Sequence, residues 1–255
     1  MGKETTHTDL PGRRDILLKA VGAVSLAGLT KAGVALAADA SSVVLTPEMT
    51  QGPYWIDEKL NRAAILYDPS DETIQEGFFL VLKIKVYQIA NGAASVLPNA
   101  QVDIWHCNAY GLYSDEAANG TSGKKFLRGY QITDSEGVVR FLSIYPGWYS
   151  GRTPHIHCRV RVYSNGSVTY NFTTQFFFDE TVTAAVYQTA PYSDRGTQDT
   201  TNTTDNIYTT TDCMTGNTEG SETMLYLSQN AKYAVASIPI KLNLSLPNNS
   251  TCAAG

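Results

Sequence analysis

Beyond its N-terminus the sequence has no cluster of lysine or arginine: 19 basic residues stand against 24 acidic ones, a net charge of -5 with a pI near 5.4. A phosphate-backbone partner needs a basic face, so nucleic acid is excluded as a partner. Long apolar runs are also missing. The single moderately apolar stretch, Ala20 to Ala37, is glycine-rich and interrupted by Lys31, too short to span a bilayer, so no stable membrane insertion of the mature chain is expected. Charge of either sign is sparse, at 17 % of 255 residues, while Thr, Ser, Asn, Tyr and Gly are abundant. That balance disfavours long surface helices and favours short strands joined by turns. No internal repeat is evident, and one all-β domain of this length is ordinary.

Gly12-Arg13-Arg14-Asp15-Ile16-Leu17-Leu18-Lys19 resembles the twin-arginine export signal, and Ala35-Leu36-Ala37 has the small-x-small form of a cleavage site. The pattern predicts a signal peptide over 1–37 and an exported domain over 38–255, periplasmic or extracellular. A surface helix or an uncleaved anchor is the alternative for the same residues. Export permits disulfides. Of only four cysteines, Cys213 and Cys252 lie in the irregular C-terminal third and are expected to pair, whereas Cys107 and Cys158 are either a second bridge or two buried thiols.

Along the mature chain, Phe78 to Tyr87, Ala100 to Cys107, Gly129 to Ile132 and Val138 to Ile144 read as strands. The last two, flanking the polar Thr133 to Gly137, read as a hairpin. A second hairpin is expected around Asn165-Gly166, joining Arg159–Tyr163 to Val168–Phe178. Asp179 is placed to cap a helix running to about Tyr187, because its carboxylate can accept the free amides of the first turn. Thr197 to Thr211 holds eight threonines in fifteen residues and reads as a surface excursion. Tyr233 to Leu246 returns to alternation, with Ile238, Ile240, Leu242, Leu244 and Leu246 on one face. The fold class expected is all-β: a β-sandwich core of mostly antiparallel strands with long loops and one or a few short helices.

The chemistry concentrates between Pro146 and Cys158, which holds two of the four histidines. In a strand, His155 and His157 project from one face and Ile156 from the other, forming a two-toothed ligand. Tyr149 sits six residues upstream across Gly151 and Pro154, a segment suited to folding a phenol back toward the imidazoles. A histidine-bearing sheet edge without metal remains the alternative on these residues alone. Glu48 to Asp57, punctuated by Gly52 and Pro53, either covers a pocket or packs a sheet edge.

Asp103-Ile-Trp-His-Cys-Asn-Ala-Tyr-Gly-Leu-Tyr113, read together with Gly129 to Gly137 and with Tyr149 through His157, resembles the intradiol ring-cleavage dioxygenases, the family of catechol 1,2-dioxygenase and protocatechuate 3,4-dioxygenase. The resemblance spans about residues 45 to 190. It implies a β-sandwich holding Fe(III) through Tyr113, Tyr149, His155 and His157, with Arg152 and Gln175 beside the substrate. Two phenolates and two imidazoles suit ferric iron better than zinc or ferrous iron, because anionic oxygen stabilises the higher charge. It also implies the reaction: a small aromatic diol and O2 combine, Tyr149 yields its place to the diol, and the ring opens between the two hydroxylated carbons to a muconate-type diacid. Two departures stand out. The gap from Tyr149 to His155 is shorter than in the classical soluble enzymes, as in compact secreted members, and Arg152-Thr153-Pro154-His155 replaces the usual Arg-Pro-Ala-His. Tyr110 and Tyr145 read as packing or pocket residues, and His106 as a strand residue or a contact behind the ligands, rather than as ligands. The competing readings are an extracellular transthyretin-like binding module and an iron-binding but inactive relative.

Overall fold

The computed structural model describes residues 43–229 and 233–252; the expected signal peptide over 1–37 lies outside the described residues. The described chain forms two five-stranded sheets packed face to face, as expected of a β-sandwich. The first sheet is built on β1 (Phe79–Ala90). One edge of β1 is shared by the antiparallel β2 (Ala93–Val96) and β5 (Val138–Ile144), and its other edge pairs in parallel with β10 (Tyr233–Leu242), beside which lies β9 (Leu227–Gln229). The second sheet runs β4 (Arg128–Ile132), β3 (Gln101–Trp105), β6 (His155–Ser164), β7 (Ser167–Phe178) and β8 (Met224–Leu225). Two short helices follow β7: α1 (Glu180–Val186) and α2 (Glu219–Glu222).

Strand parity divides each sheet into a core face and an outer face. In β1, Leu80, Leu82, Ile84 and Val86 all point inward and are fully buried, opposite Ala234, Ala236, Ile238 and Ile240 of β10. The facing sheet contributes Val102, Ile104, Ile156, Cys158, Val160, Phe172 and Phe176. Each such side chain stabilises the fold by about 1.5–3 kcal/mol when fully buried. The same parity turns Trp105, His155, His157 and Gln175 to the outer face of the second sheet, where register sets His157 between Trp105 and Gln175.

Local signals act where the sequence places them. Asn165 and Gly166 both take positive φ, 49° and 78°, which matches the twist of the strands they join, β6 and β7. Asp179 accepts the amides of Thr181 and Val182 and so caps α1.

Three expectations are corrected. β4 and β5 do not form a hairpin: the turn between them is made by Asp134, which accepts the amides of Glu136 and Val138, but β4 pairs with β3 and β5 crosses to pair with β1 in the other sheet. The final strand ends at Leu242, because the Asn249 side chain takes the Asn243 amide and donates to the carbonyls of Lys241 and Thr46, folding the tail back. The threonine-rich segment is not all surface, since Thr200, Asn202 and Asp205 are buried.

Cys213 and Cys252 form a disulfide across 39 positions, while Cys107 and Cys158 are free and buried. Closing a loop of that length stabilises the fold by about 4 kcal/mol in the chain-entropy account. Cys213→Ser is therefore expected to lower unfolding free energy by roughly 2–4 kcal/mol, read from denaturant melts; an unchanged midpoint would show that the staple contributes nothing.

Candidate metal centre

The two tyrosine-bearing loops are brought together by a glycine. Gly111, two residues before Tyr113, has φ 77°, and a Cβ there would collide with the Trp148 carbonyl, next to Tyr149. Only glycine permits that approach. Asn108 shapes the same loop by accepting the amides of Tyr110 and Leu112. Arg128 then ties the covering segment to the Tyr113 segment: its Nη1 donates to the Tyr54 carbonyl at 2.6 Å, its Nε to Ser114 Oγ at 2.8 Å and its Nη2 to the Ser114 carbonyl at 2.8 Å. Tyr54 consequently stacks on Tyr113 at 4.2 Å, and Trp55 meets Trp105 edge-on at 4.6 Å. Segment 48–57 thus packs over Tyr113 and Trp105 on the outer face of the second sheet.

At the centre lies His155 Nε2. His157 Nε2 is 3.1 Å away, Tyr149 Oη 3.3 Å and Tyr113 Oη 3.4 Å. His155 Nδ1 lies 2.7 Å from the Thr153 carbonyl, which can only accept, so Nδ1 carries the hydrogen and Nε2 presents its lone pair to the other donors. His157 Nδ1 is buried without a hydrogen-bond partner, and its ring lies flat on Trp105 at 4.8 Å and 4°. Gly52 sits over the same ring, where an added Cβ would come within 3.3 Å of His157 Cε1.

His155 Nε2 has one lone pair and can accept one hydrogen, yet three other polar atoms crowd it. Burial, then the Arg152 charge, lowers the His155 pKa to about 3, and burial also holds His157 well below the usual imidazole range. Both rings are neutral at ordinary pH. Burial pushes Tyr149 up to about 12 and Tyr113 well above the usual phenol range. A cation set among the four atoms reverses the cost for the phenols, because the phenolates then face positive charge. Donors each about 2 Å from one ion stand roughly 3 Å from one another, and His155 Nε2 stands 3.1–3.4 Å from each of the other three. Among the described residues no three His, Cys, Asp or Glu side chains converge, so the donor set is two imidazoles and two phenols and nothing else of that kind.

The remaining site residues of the sequence reading fall beside this cluster. Arg152 Nη1 lies 3.4 Å from His155 Nε2, Nη2 donates to Gln175 Oε1 at 2.6 Å, and Nε pairs with Asp205 Oδ2 at 2.8 Å. Gln175 is fully buried and its Nε2 donates to the Thr50 carbonyl at 2.8 Å, so both ends of its amide are engaged. Burial opposes ionisation of Asp205, but the Arg152 charge and hydrogen bonds from Arg152, Tyr208 and Thr153 hold its carboxyl below the usual range. His106 stands apart: its ring nitrogens reach the Cys107 carbonyl and Ser143 Oγ, leaving neither free. Tyr145 is a core residue bonded to Thr183, and Tyr110 is exposed. Arg128, Tyr54 and Asp205 carry no motif of their own; only a partner sought for Arg152 could have pointed to Asp205.

The family profile Dioxygenase_C, described as "Dioxygenase", matches residues 50–190, more than half of the chain and the whole of the donor cluster. The chain belongs to the intradiol ring-cleavage dioxygenase family. This intradiol family member is 32 % identical over 107 residues to a catechol 1,2-dioxygenase of Acinetobacter baylyi, covering 41 % of this chain and 32 % of that one. It is 31 % identical over 147 residues to a catechol 1,2-dioxygenase of a Pseudomonas species, covering 52 % and 46 %. The chain thus aligns with less than half the length of these curated relatives. Among solved structures, an intradiol ring-cleavage dioxygenase from Tetranychus urticae superposes with a TM-score of 0.66 at 26 % identity, over 79 % of this chain and 96 % of the other. The dioxygenase domain of a carbohydrate-binding fusion protein from a Streptomyces shares the fold, at a TM-score of 0.52 and 22 % identity, over 78 % and 99 % of the two chains.

Proposed function

We propose that this intradiol family member is a non-haem Fe(III) dioxygenase that inserts both atoms of O2 into a small catechol-type diol and cleaves it between the two hydroxylated carbons. The observation that carries the reading is the convergence of Tyr113, Tyr149 and His157 within 3.1–3.4 Å of His155 Nε2. Tyr113, Tyr149, His155 and His157 would hold the ion, and the anionic oxygens favour its ferric state. The chemistry that bound Fe(III) supplies is withdrawal of electron density from the diol, which opens a ring carbon to O2.

The chain's own groups do the rest. Tyr149 is half-buried where Tyr113 is only 1 % exposed, so the Tyr149 phenol is the one an entering diol can reach, and its Oη takes up a diol proton. Arg152, held by Asp205 and Gln175, keeps a fixed positive charge where the diol oxygens become negative. Tyr54 over Tyr113 and Trp105 under His157 exclude water from that side of the donors. Catechol plus O2 has the same atoms as muconic acid, so no external reductant is needed.

The same reading places the enzyme outside the cytoplasm, exported by the twin-arginine route. The Cys213–Cys252 bridge supports this, because such bonds persist in oxidising compartments. Among the described residues no helix is long and apolar enough to cross a membrane.

The test is a panel of catechol, substituted catechols, protocatechuate and hydroxyquinol on iron-loaded protein, read by oxygen electrode and by mass spectrometry under labelled O2. A colourless muconate-type product carrying two labelled oxygens is expected. Yellow semialdehydes would place cleavage beside the diol and reject the intradiol assignment. Iron without oxygen uptake would favour the inactive relative, and protein that binds no iron would favour the binding module.

A further inference from the structure

We propose that Asp205, inside the threonine-rich segment 197–211, is a positioning residue that sets both the Arg152 guanidinium and the backbone that orients His155. The proposal rests on the Fe(III) dioxygenase reading above. Asp205 is completely buried, and each of its oxygens has two hydrogen-bond donors. Oδ2 accepts from Arg152 Nε at 2.8 Å and from the Thr153 amide at 2.9 Å; Oδ1 accepts from the amides of Ile207 at 2.8 Å and Tyr208 at 3.1 Å.

The first bond fixes a plane. A guanidinium is a rigid fork, so once Nε is held by Asp205 and Nη2 by Gln175 Oε1, Nη1 has one place to go, and it lies 3.4 Å from His155 Nε2. The second bond fixes a tautomer. Thr153 is gripped at its amide by Asp205 and at its hydroxyl by Asn202 Oδ1, at 2.8 Å, and the carbonyl of that same residue accepts the His155 Nδ1 hydrogen. Orienting a ligand histidine through its second nitrogen is a known determinant of metal sites. Here the orientation is supplied from a segment whose composition reads as surface.

Asparagine at 205 has nearly the shape of aspartate but one acceptor and one donor end. Whichever way its amide turns, an NH2 meets one of the two pairs of N–H donors, and the charge opposite Arg152 is gone. The decisive experiment is a double-mutant cycle of Asp205→Asn with Arg152→Gln, reading iron per chain, anaerobic catechol affinity by visible titration, and kcat and KM by oxygen electrode.

Asp205→Asn alone is expected to keep about one iron per chain and lose roughly a hundred-fold in kcat/KM, mostly in kcat, as for removal of one preorganised charged contact. On the Arg152→Gln background the same change is expected to cost about ten-fold less, because the part acting through Arg152 is already lost and only the part carried by Thr153 and His155 remains. Equal losses on both backgrounds, or a loss below three-fold in otherwise unaltered protein, would overturn the proposal while leaving the parent reading intact. Unaltered protein without iron, or without oxygen uptake, would sink the parent reading and this proposal with it. Should Asp205→Asn not fold, the cycle is run with Asp205→Ser; failure of both to fold assigns Asp205 to the fold alone and rejects the positioning role.

Discussion

His157→Ala is expected to drop bound iron from about one per chain to under a tenth and to abolish catechol turnover, while the sandwich still folds. His157 belongs to the proposed donor set, its Nε2 3.1 Å from His155 Nε2, and no third His, Cys, Asp or Glu converges with the two histidines among the described residues. Removing a group that merely orients a ligand costs ten- to a hundred-fold in metal affinity, and removing the ligand itself costs more. The fold survives because His157 belongs to the outer face of β6, whereas Ile156, Cys158 and Val160 on the inner face carry the core. Loss of the stack on Trp105 is worth about 0.5–1.5 kcal/mol, well short of a typical domain's stability. Metal analysis with circular dichroism on the same sample decides the matter. Stoichiometric ferric iron in folded His157→Ala would remove this histidine from the ligand set.

The parts of this site that depend on local geometry were legible in the residues. Period-two alternation is enough to put His155 and His157 on one face with Ile156 on the other, and the Asn165-Gly166 and Asp179 signals act within a few residues of themselves. Tyr113 is different. Fifteen tyrosines give no ground for choosing it by composition, and only the resemblance to the family's Gly-x-Tyr position marks it, after which the structure shows its phenol at the histidines.

What the sequence could not show is long-range. The Asp134 turn is the same whether the strands leaving it pair with each other or separate, and the choice is made by β1 and β3, which draw β5 and β4 into different sheets. The threonine-rich segment departs from a surface reading at Thr200, Asn202 and Asp205 for a related reason. A single buried carboxylate with four N–H donors can anchor a polar loop as firmly as an apolar stripe, and such an anchor leaves no periodicity behind. Through that anchor, segment 197–211 holds Arg152 and Thr153 at the short span between Tyr149 and His155.

Tyr149→Phe is expected to separate holding the metal from using it: iron retained at half or more of the unaltered content, kcat lowered at least a hundred-fold, and the visible absorption shifted as one phenolate is lost. Phenylalanine preserves the ring, which packs edge-on against Tyr54 at 5.8 Å and Tyr113 at 5.7 Å, so the substitution removes one oxygen and little packing. Tyr113, His155 and His157 still converge. What disappears is the Oη that stands 3.3 Å from His155 Nε2 on the accessible side of the cluster and that, in the proposed function, takes up a proton from the diol; general acid–base groups of this kind contribute about 10²–10⁴-fold. Tyr113→Phe serves as the contrast, because its phenol is buried and stacked under Tyr54, so its loss should weaken iron binding more than Tyr149→Phe does. The measurements are iron per chain, the visible spectrum, and oxygen uptake with catechol for each variant. Full turnover by Tyr149→Phe would reject the proton-accepting role, and loss of iron from Tyr149→Phe equal to that from Tyr113→Phe would show that the two phenols do the same work.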